Sequence, residues 1–377
     1  MDVEKLSDYL DLLVKNGIPS VDCIVTKDHK EVFRHMNGFV DAEKQKKVSE
    51  NTRYMVFSMT KIQTMTALMQ LVEKGLISLD DEVGRFLPAY GNLSVKTDGK
   101  IEPLKTPLLI RHLASMQSGL DYSLERPGIL RVLKEKGANA TTRELVDSFV
   151  ESPLDFEPGT HFRYSLSHDV IAAIIEVVSG ISFGEYLEKN IWKPLGMSNT
   201  FFAGQLNDDV ENLADQYIYD EPNDRINLMK KTCNYQLSDR YQSGGAGLIS
   251  CTKDYSILAD TIAFGGVSAE GVRILKPESI EIMKTNLLGE DSLKDIADTM
   301  GRKGYGYGIG MQILMDRDAA KATAPQGVFG WDGAAGSCVI MDTESKTSLV
   351  FTMHVRGYGP AYSTIHPTLR DIVFEQK

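Results

Sequence analysis

Ser58 and Lys61 stand three residues apart in SMTK, where an apolar run, YMVF, gives way to helical periodicity. Residues three apart share a face of a helix, so the two side chains project to the same side. A serine hydroxyl is a poor nucleophile until a base within hydrogen-bond reach takes its proton. Lysine serves as that base only if burial or a neighbouring cation lowers its pKa from about 10.4. Ser58 also falls at a helix start, where a free backbone N–H and the helix dipole favour the negative charge of an oxyanion. The competing reading is plain: Ser58 caps the helix and Lys61 lies in water. Four-residue patterns of this kind arise often by chance, so their setting must decide.

Periodicity outlines the elements that would position the pair. Val3, Leu6, Leu10 and Leu13 predict an amphipathic helix over 3–16, ended by Gly17 and Pro19. VDCIVTK (21–27) and VFRHMNGFV (32–40) read as two strands around a polar turn at 28–30. From Met59 to Lys74, Ile62, Met65, Met69 and Val72 form a stripe without Gly or Pro, and Gly75 follows as a C-cap. PAYGNLSVKTDGKIEPLKTP reads as a loop or lobe boundary near residue 90. Helical patterns then run to about 235, and strand and glycine patterns return beyond 240, where SGGAGLIS (243–250) reads as a tight turn and strand beside the site. The expected architecture is α/β (α+β): an antiparallel sheet built from both chain ends (1–90 and 236–377), flanked by helices. A mainly helical lobe (91–235) is inserted, with the active site between the two.

The net charge of -11, with no Lys/Arg block, argues against a nucleic-acid partner or an anionic membrane surface. No window approaches 18 uninterrupted apolar residues, and MDVEKLSDYLDLLVKNG has neither a basic region nor an apolar leader. Cys23, Cys233, Cys251 and Cys338 are scattered, with no CxxC pair and no His at metal-ligand spacing. They read as reduced thiols of a cytoplasmic protein, and neither a metal nor an organic cofactor is expected. GYGYGIG (304–310) continues as a strand, and no Gly-x-x-x-x-Gly-Lys accompanies it, so it is not read as a phosphate loop. His112, or His168 with Asp169, invites a Ser-His-Asp triad, but His168 falls in a helix's first turn and no Gly-x-Ser-x-Gly elbow exists.

Four stretches together carry a family resemblance. YMVFSMTKIQTMTALMQLVEKGLISLDDEVGRFLP resembles the serine β-lactamase and penicillin-binding-protein superfamily, with its Ser-x-x-Lys motif. LIRHLASMQSGLDY (109–122) looks like a segment of the class C-like branch. FEPGTHFRYSLSHDVIAAIIEVVSG (156–180) looks like its second motif, and FGWDGAAGS (329–337) falls where the family places Lys-Thr-Gly. In motif the chain is closest to family VIII carboxylesterases. Tyr164-Ser165-Leu166 stands where class C enzymes have Tyr-Ala-Asn, and Trp331-Asp332-Gly333 stands where they have Lys-Thr-Gly.

The resemblance implies roles for each residue. Ser58 becomes the nucleophile, and Lys61 and Tyr164 a proton-shuttling pair in which the Lys61 cation keeps Tyr164 poised as a phenolate or strong acceptor. The N–H groups of Ser58 and Ala334 would form the oxyanion hole. Leu166, Trp331 and Gly333 would contact substrate, Trp331 walling the acyl pocket. Losing the amide at 166 and the cation at 331 suits an uncharged ester better than a β-lactam or a peptide. The expected function is a serine hydrolase, carboxylesterase-like, cleaving small esters through an acyl-enzyme. A β-lactamase or D-amino-acid peptidase, an acyltransferase, and a silent binding protein of the same fold stand as alternatives. Intact Ser58, Lys61 and Tyr164 argue against the last.

Overall fold

The computed structural model describes residues 1–202, 204 and 210–375. Asp2 starts the first helix (Val3–Lys15) by accepting the Lys5 N–H, and the helix buries Leu6, Leu10 and Leu13. The expected hairpin follows as Ser20–Lys27 and Lys30–Gly38. These strands complete a seven-stranded antiparallel sheet, whose spatial order is Tyr305–Tyr307, Gln312–Leu314, Phe329–Asp332, Cys338–Asp342, Thr347–Thr352, Ser20–Lys27, Lys30–Gly38. Both chain ends thus feed one sheet.

Period-two alternation divides its faces. Cys23, Val25, Leu349 and Phe351 turn toward the first helix and the last (His366–Phe374), where Leu369, Ile372 and Val373 meet them. Val339 and Val350 turn the other way, toward the helix Thr252–Ala263 and the main core.

That core centres on two helices. Ser167–Ser179 is apolar almost all round and buried from Ser167 to Ile175, as a fully enclosed helix must be. Thr60–Glu73, the helix after Ser58, packs against it and is buried from Thr60 to Leu71. No single helix among the described residues is long and apolar enough to cross a membrane.

Two stretches differ from expectation. The presumed loop after residue 90 contains a hairpin, Ser94–Thr97 with Lys100–Pro103, turned by Asp98 (φ 49°) and Gly99 (φ 79°). The mainly helical run ends at Leu195, well before 235. Gln216–Asp220 and Arg225–Met229 then pair, and Val355–Arg356 joins the first of them in parallel.

Candidate active site

The strand Arg53–Met55 leads straight to Ser58. It pairs with Leu248–Cys251, and the Val56 N–H reaches the Leu248 carbonyl at 3.1 Å. Phe57 then adopts φ +44°, a left-handed conformation that costs a bulky residue roughly 1–3 kcal/mol. Packing enforces it: the Phe57 side chain is fully buried with Met55, Leu213, Ile249 and Ala335. A single 3₁₀ turn, Phe57–Met59, precedes the α-helix, so Ser58 sits just outside the regular first turn.

Gly333 is the other half of that clamp. A Cβ there would lie 2.4 Å from the Val56 carbonyl oxygen, so only glycine lets the end of strand Phe329–Asp332 lie on the turn that carries Ser58. Its N–H donates to the Ser337 carbonyl, and its own carbonyl accepts from Tyr362 at 3.0 Å. Gly333 therefore spaces two backbones; its expected substrate contact is replaced by this one. Just beyond it, the Ala334 N–H takes no partner among the described residues, which suits a donor awaiting an oxyanion.

Lys61 is wholly buried. Its Nζ lies 3.3 Å from Ser58 Oγ, 3.3 Å from the Tyr122 hydroxyl and 2.8 Å from the Gly245 carbonyl. Loss of solvent pulls its pKa from 10.5 to about 7, against the opposing charges of Asp169 and Asp332. A neutral amine has two protons and one lone pair. Gly245 and Tyr122 accept the protons, and the lone pair is left for the Ser58 hydroxyl. SGGAGLIS thus touches Lys61 directly. Gly245 has to be glycine, because a Cβ would sit 2.8 Å from Asp169 Oδ2 and 3.1 Å from the Tyr122 hydroxyl.

Tyr164 is arranged differently from expectation. Lys61 Nζ lies 4.5 Å above its ring and makes no hydrogen bond to its hydroxyl. That hydroxyl accepts from Trp331 Nε1 at 3.1 Å. Desolvation raises its pKa above the ordinary tyrosine value. It therefore stays protonated, and the phenolate reading is withdrawn. With Trp331 occupying its lone pair, the Tyr164 proton is free to point at Ser58 or at a leaving group.

Two further expectations are corrected. Trp331 is only 1% exposed, packed edge-on against Tyr307 (5.0 Å), so it braces Tyr164 instead of walling an open pocket. Leu166 is 2% exposed; its N–H bonds to the Asp121 carbonyl and its side chain lies in the main core. Neither it nor its missing amide faces substrate.

The histidine triad fails on geometry. His168 is buried and its Nε2 pairs with the Ala114 carbonyl at 3.1 Å, while the His112 ring packs beneath Gly159. Asp169 matters in another way: its fully buried carboxylate accepts from Tyr241 at 2.8 Å and faces Lys61 across Gly245.

Sequence reasoning missed Tyr122, which stacks on Tyr164 (5.4 Å) and hydrogen-bonds Lys61, although its motif was in view. It also missed Tyr235, half-buried and edge-on to Tyr122 (5.3 Å) and Phe57 (6.4 Å). No local signal marks Tyr235.

A family model described as Beta-lactamase matches residues 4–372. The chain is 29% identical to Acyltransferase calJ of Penicillium decumbens over 82% of this chain and 77% of that protein. It is 26% identical to Esterase EstB of Burkholderia gladioli, over 93% and 89% respectively. It is 24% identical to a putative D-alanyl-D-alanine carboxypeptidase of Escherichia coli K12, over 93% and 82%. Among solved structures, it resembles EstCE1, a hydrolase with promiscuous acyltransferase activity. The TM-score is 0.79 at 24% identity, over 99% of this chain and 97% of that one. At that identity the likeness speaks for the fold.

Proposed function

Because the chain belongs to the beta-lactamase family, we propose that it is a serine hydrolase that cleaves small esters through an acyl-enzyme on Ser58. One observation carries this reading: a buried lysine, shifted to about 7, stands 3.3 Å from a serine hydroxyl at a strained turn. Lys61 takes the hydroxyl proton as Ser58 Oγ bonds to the ester carbonyl carbon. The resulting oxyanion is met by the N–H groups of Ser58 and Ala334. When the C–O bond breaks, the proton held on Lys61 passes to the departing alkoxide, which the Tyr164 hydroxyl steadies by a hydrogen bond, and Lys61 is neutral again. Water or a second alcohol then attacks the acyl carbon, and the shuttle runs in reverse.

Esters are favoured over amides by what surrounds the serine. Tyrosines 122, 164 and 235 present aromatic surface there and no side-chain amide. The curated relatives include an esterase, two named acyltransferases and a carboxypeptidase, so the acceptor is the open part of the reaction. A second reading, acyl transfer to an alcohol, is favoured by the acyltransferases among those relatives.

A series of p-nitrophenyl esters from acetyl to octanoyl, run beside a chromogenic cephalosporin, tests the ester assignment. Ester turnover well above lactam turnover is expected; lactam cleavage rivalling the best ester would overturn it. Adding a primary alcohol separates the two acceptors, since a transferase yields the new ester in preference to free acid.

A further inference from the structure

The last helix, His366–Phe374, closes over a small cavity against the sheet. Its walls Val328 and Ile340 pack in the core beneath the first and last helices, whereas Trp331 turns into the main core. The cavity is therefore separate from the cleft at Ser58. Gly330 brings no side chain to it, because a Cβ there would lie 2.0 Å from the Val339 carbonyl oxygen. The remaining space, about 30 Å³, admits a monatomic ion or a water molecule or two, and no organic substrate.

The polar groups around that space are Arg302, Arg370, Tyr305, Gln312 and His366, with no carboxylate among the described residues that line it. Asp332 contacts Arg302, and Asp371 takes Nε and Nη2 of Arg370, yet neither acid reaches the cavity wall. Both arginines are more than nine-tenths buried. Among the described residues Arg302 Nε has no hydrogen-bond partner. The Tyr305 hydroxyl accepts from Arg370 Nη1, and its own proton meets no acceptor there. Gln312 Oε1 is buried without a partner as well, and half a turn of that amide presents its NH2 group instead. His366 gives its Nε2 proton to the Gly336 carbonyl at 2.8 Å and serves as wall.

This lining is rich in donors and poor in acceptors, and buried donors are ordinarily met. A halide ion accepts from every side and feels both enclosed guanidinium charges, whereas a water molecule must also place two protons. We infer that the cavity is a binding site for a monatomic anion of chloride size, held by Arg302, Tyr305 and Gln312. The ion ties the last helix, which supplies Arg370, to the strands Tyr305–Tyr307, Gln312–Leu314 and Phe329–Asp332. It stabilises the fold and takes no part in the acyl-enzyme chemistry above.

Thermal unfolding at fixed ionic strength, with sodium gluconate exchanged stepwise for sodium chloride or bromide, tests it. Gluconate is too large for the cavity. Tm should rise saturably with halide, by about 2 °C or more. Tyr305→Phe removes one donor and should raise the half-saturating halide concentration about fivefold. Gln312→Glu places a carboxylate at the cavity and should abolish the dependence. Crystals grown in bromide should show an anomalous peak against Arg302 Nε. A Tm indifferent to halide overturns the inference, as does a dependence that Gln312→Glu leaves intact, since the ion would then lie elsewhere. Should that variant not fold, the wild-type crystals decide: water in the cavity and no bromide overturns the inference equally.

Discussion

Strand Phe329–Asp332 separates two buried ionisable groups that are treated in opposite ways. On one side Trp331 faces Tyr164, beyond which lies Lys61, a buried base whose hydrogen-bond partners are a serine, a tyrosine and a carbonyl. On the other side Asp332 contacts Arg302, with His366 Nδ1 4.0 Å away. The acid has its countercharge in contact; the base does not. A buried charge with a partner is a structural fixture, expensive to break. A buried base without one gives up its proton easily, and that is a reactive state. The strand therefore sets a carboxylate with its countercharge one residue from the tryptophan that braces Tyr164.

Substitutions on the two sides should fail in different currencies. Lys61→Met should reduce kcat/KM by at least about a thousandfold while leaving the protein folded, because base and nucleophile act as one unit. Lys61→Arg should not rescue it, since a guanidinium does not deprotonate. Asp332→Asn should instead destabilise the fold by about 3–5 kcal/mol, the cost of leaving Arg302 buried without its partner. Steady-state kinetics and denaturant unfolding on both variants check the contrast; a Lys61→Met protein with near-normal turnover would erase it.

Leu166→Asn sharpens the same distinction between site and core. With Leu166 in the core, an amide there should cost about 1–3 kcal/mol in unfolding free energy through an unsatisfied buried group. The ester-to-lactam ratio should not move, and a gain in lactam turnover would return Leu166 to the substrate pocket. Trp331→Phe keeps the packing and removes only the donor to Tyr164, so kcat should fall about tenfold, with little change in KM. Equal loss in both parameters would mean that the indole contacts substrate after all.

The pH profile should show the missing countercharge directly. Only neutral Lys61 accepts a proton, so kcat/KM should rise with pH through about 7 and level off above it. Asp169 opposes the loss of the lysine proton. Asp169→Asn should therefore move the rise to lower pH; a shift upward would contradict the assignment of Lys61 as base.

Much of this arrangement could be read locally, and the remainder could not for a physical reason. Ser58 and Lys61 are three residues apart on one turn, so helical periodicity alone joins them. Tyr122 and Gly245 reach Lys61 across 61 and 184 residues of chain; SGGAGLIS reads as lying beside the site, but nothing in either stretch says which atom meets the lysine. The sheet built from both ends was legible because its central strands are continuous apolar runs. The hairpin at 94–103 was hidden by its Pro- and Gly-rich setting, although Asp98-Gly99 is the dipeptide that a left-handed two-residue turn requires. Leu166 and Trp331 were placed correctly along the chain but not in space. Whether a residue at a helix start or on a strand faces a cleft or the core depends on what packs over it. Tyr307 and Tyr164 cover Trp331, and the main core encloses Leu166.

The central claim is that Ser58 carries the acyl group. Rapid acid quench during turnover of a p-nitrophenyl ester, followed by intact-mass and peptide mapping, tests it directly. A single acyl group on the peptide containing Ser58, absent from the Ser58→Ala variant together with its turnover, is the expected result. Turnover persisting in Ser58→Ala, or an acyl group mapped to any other residue, would contradict it.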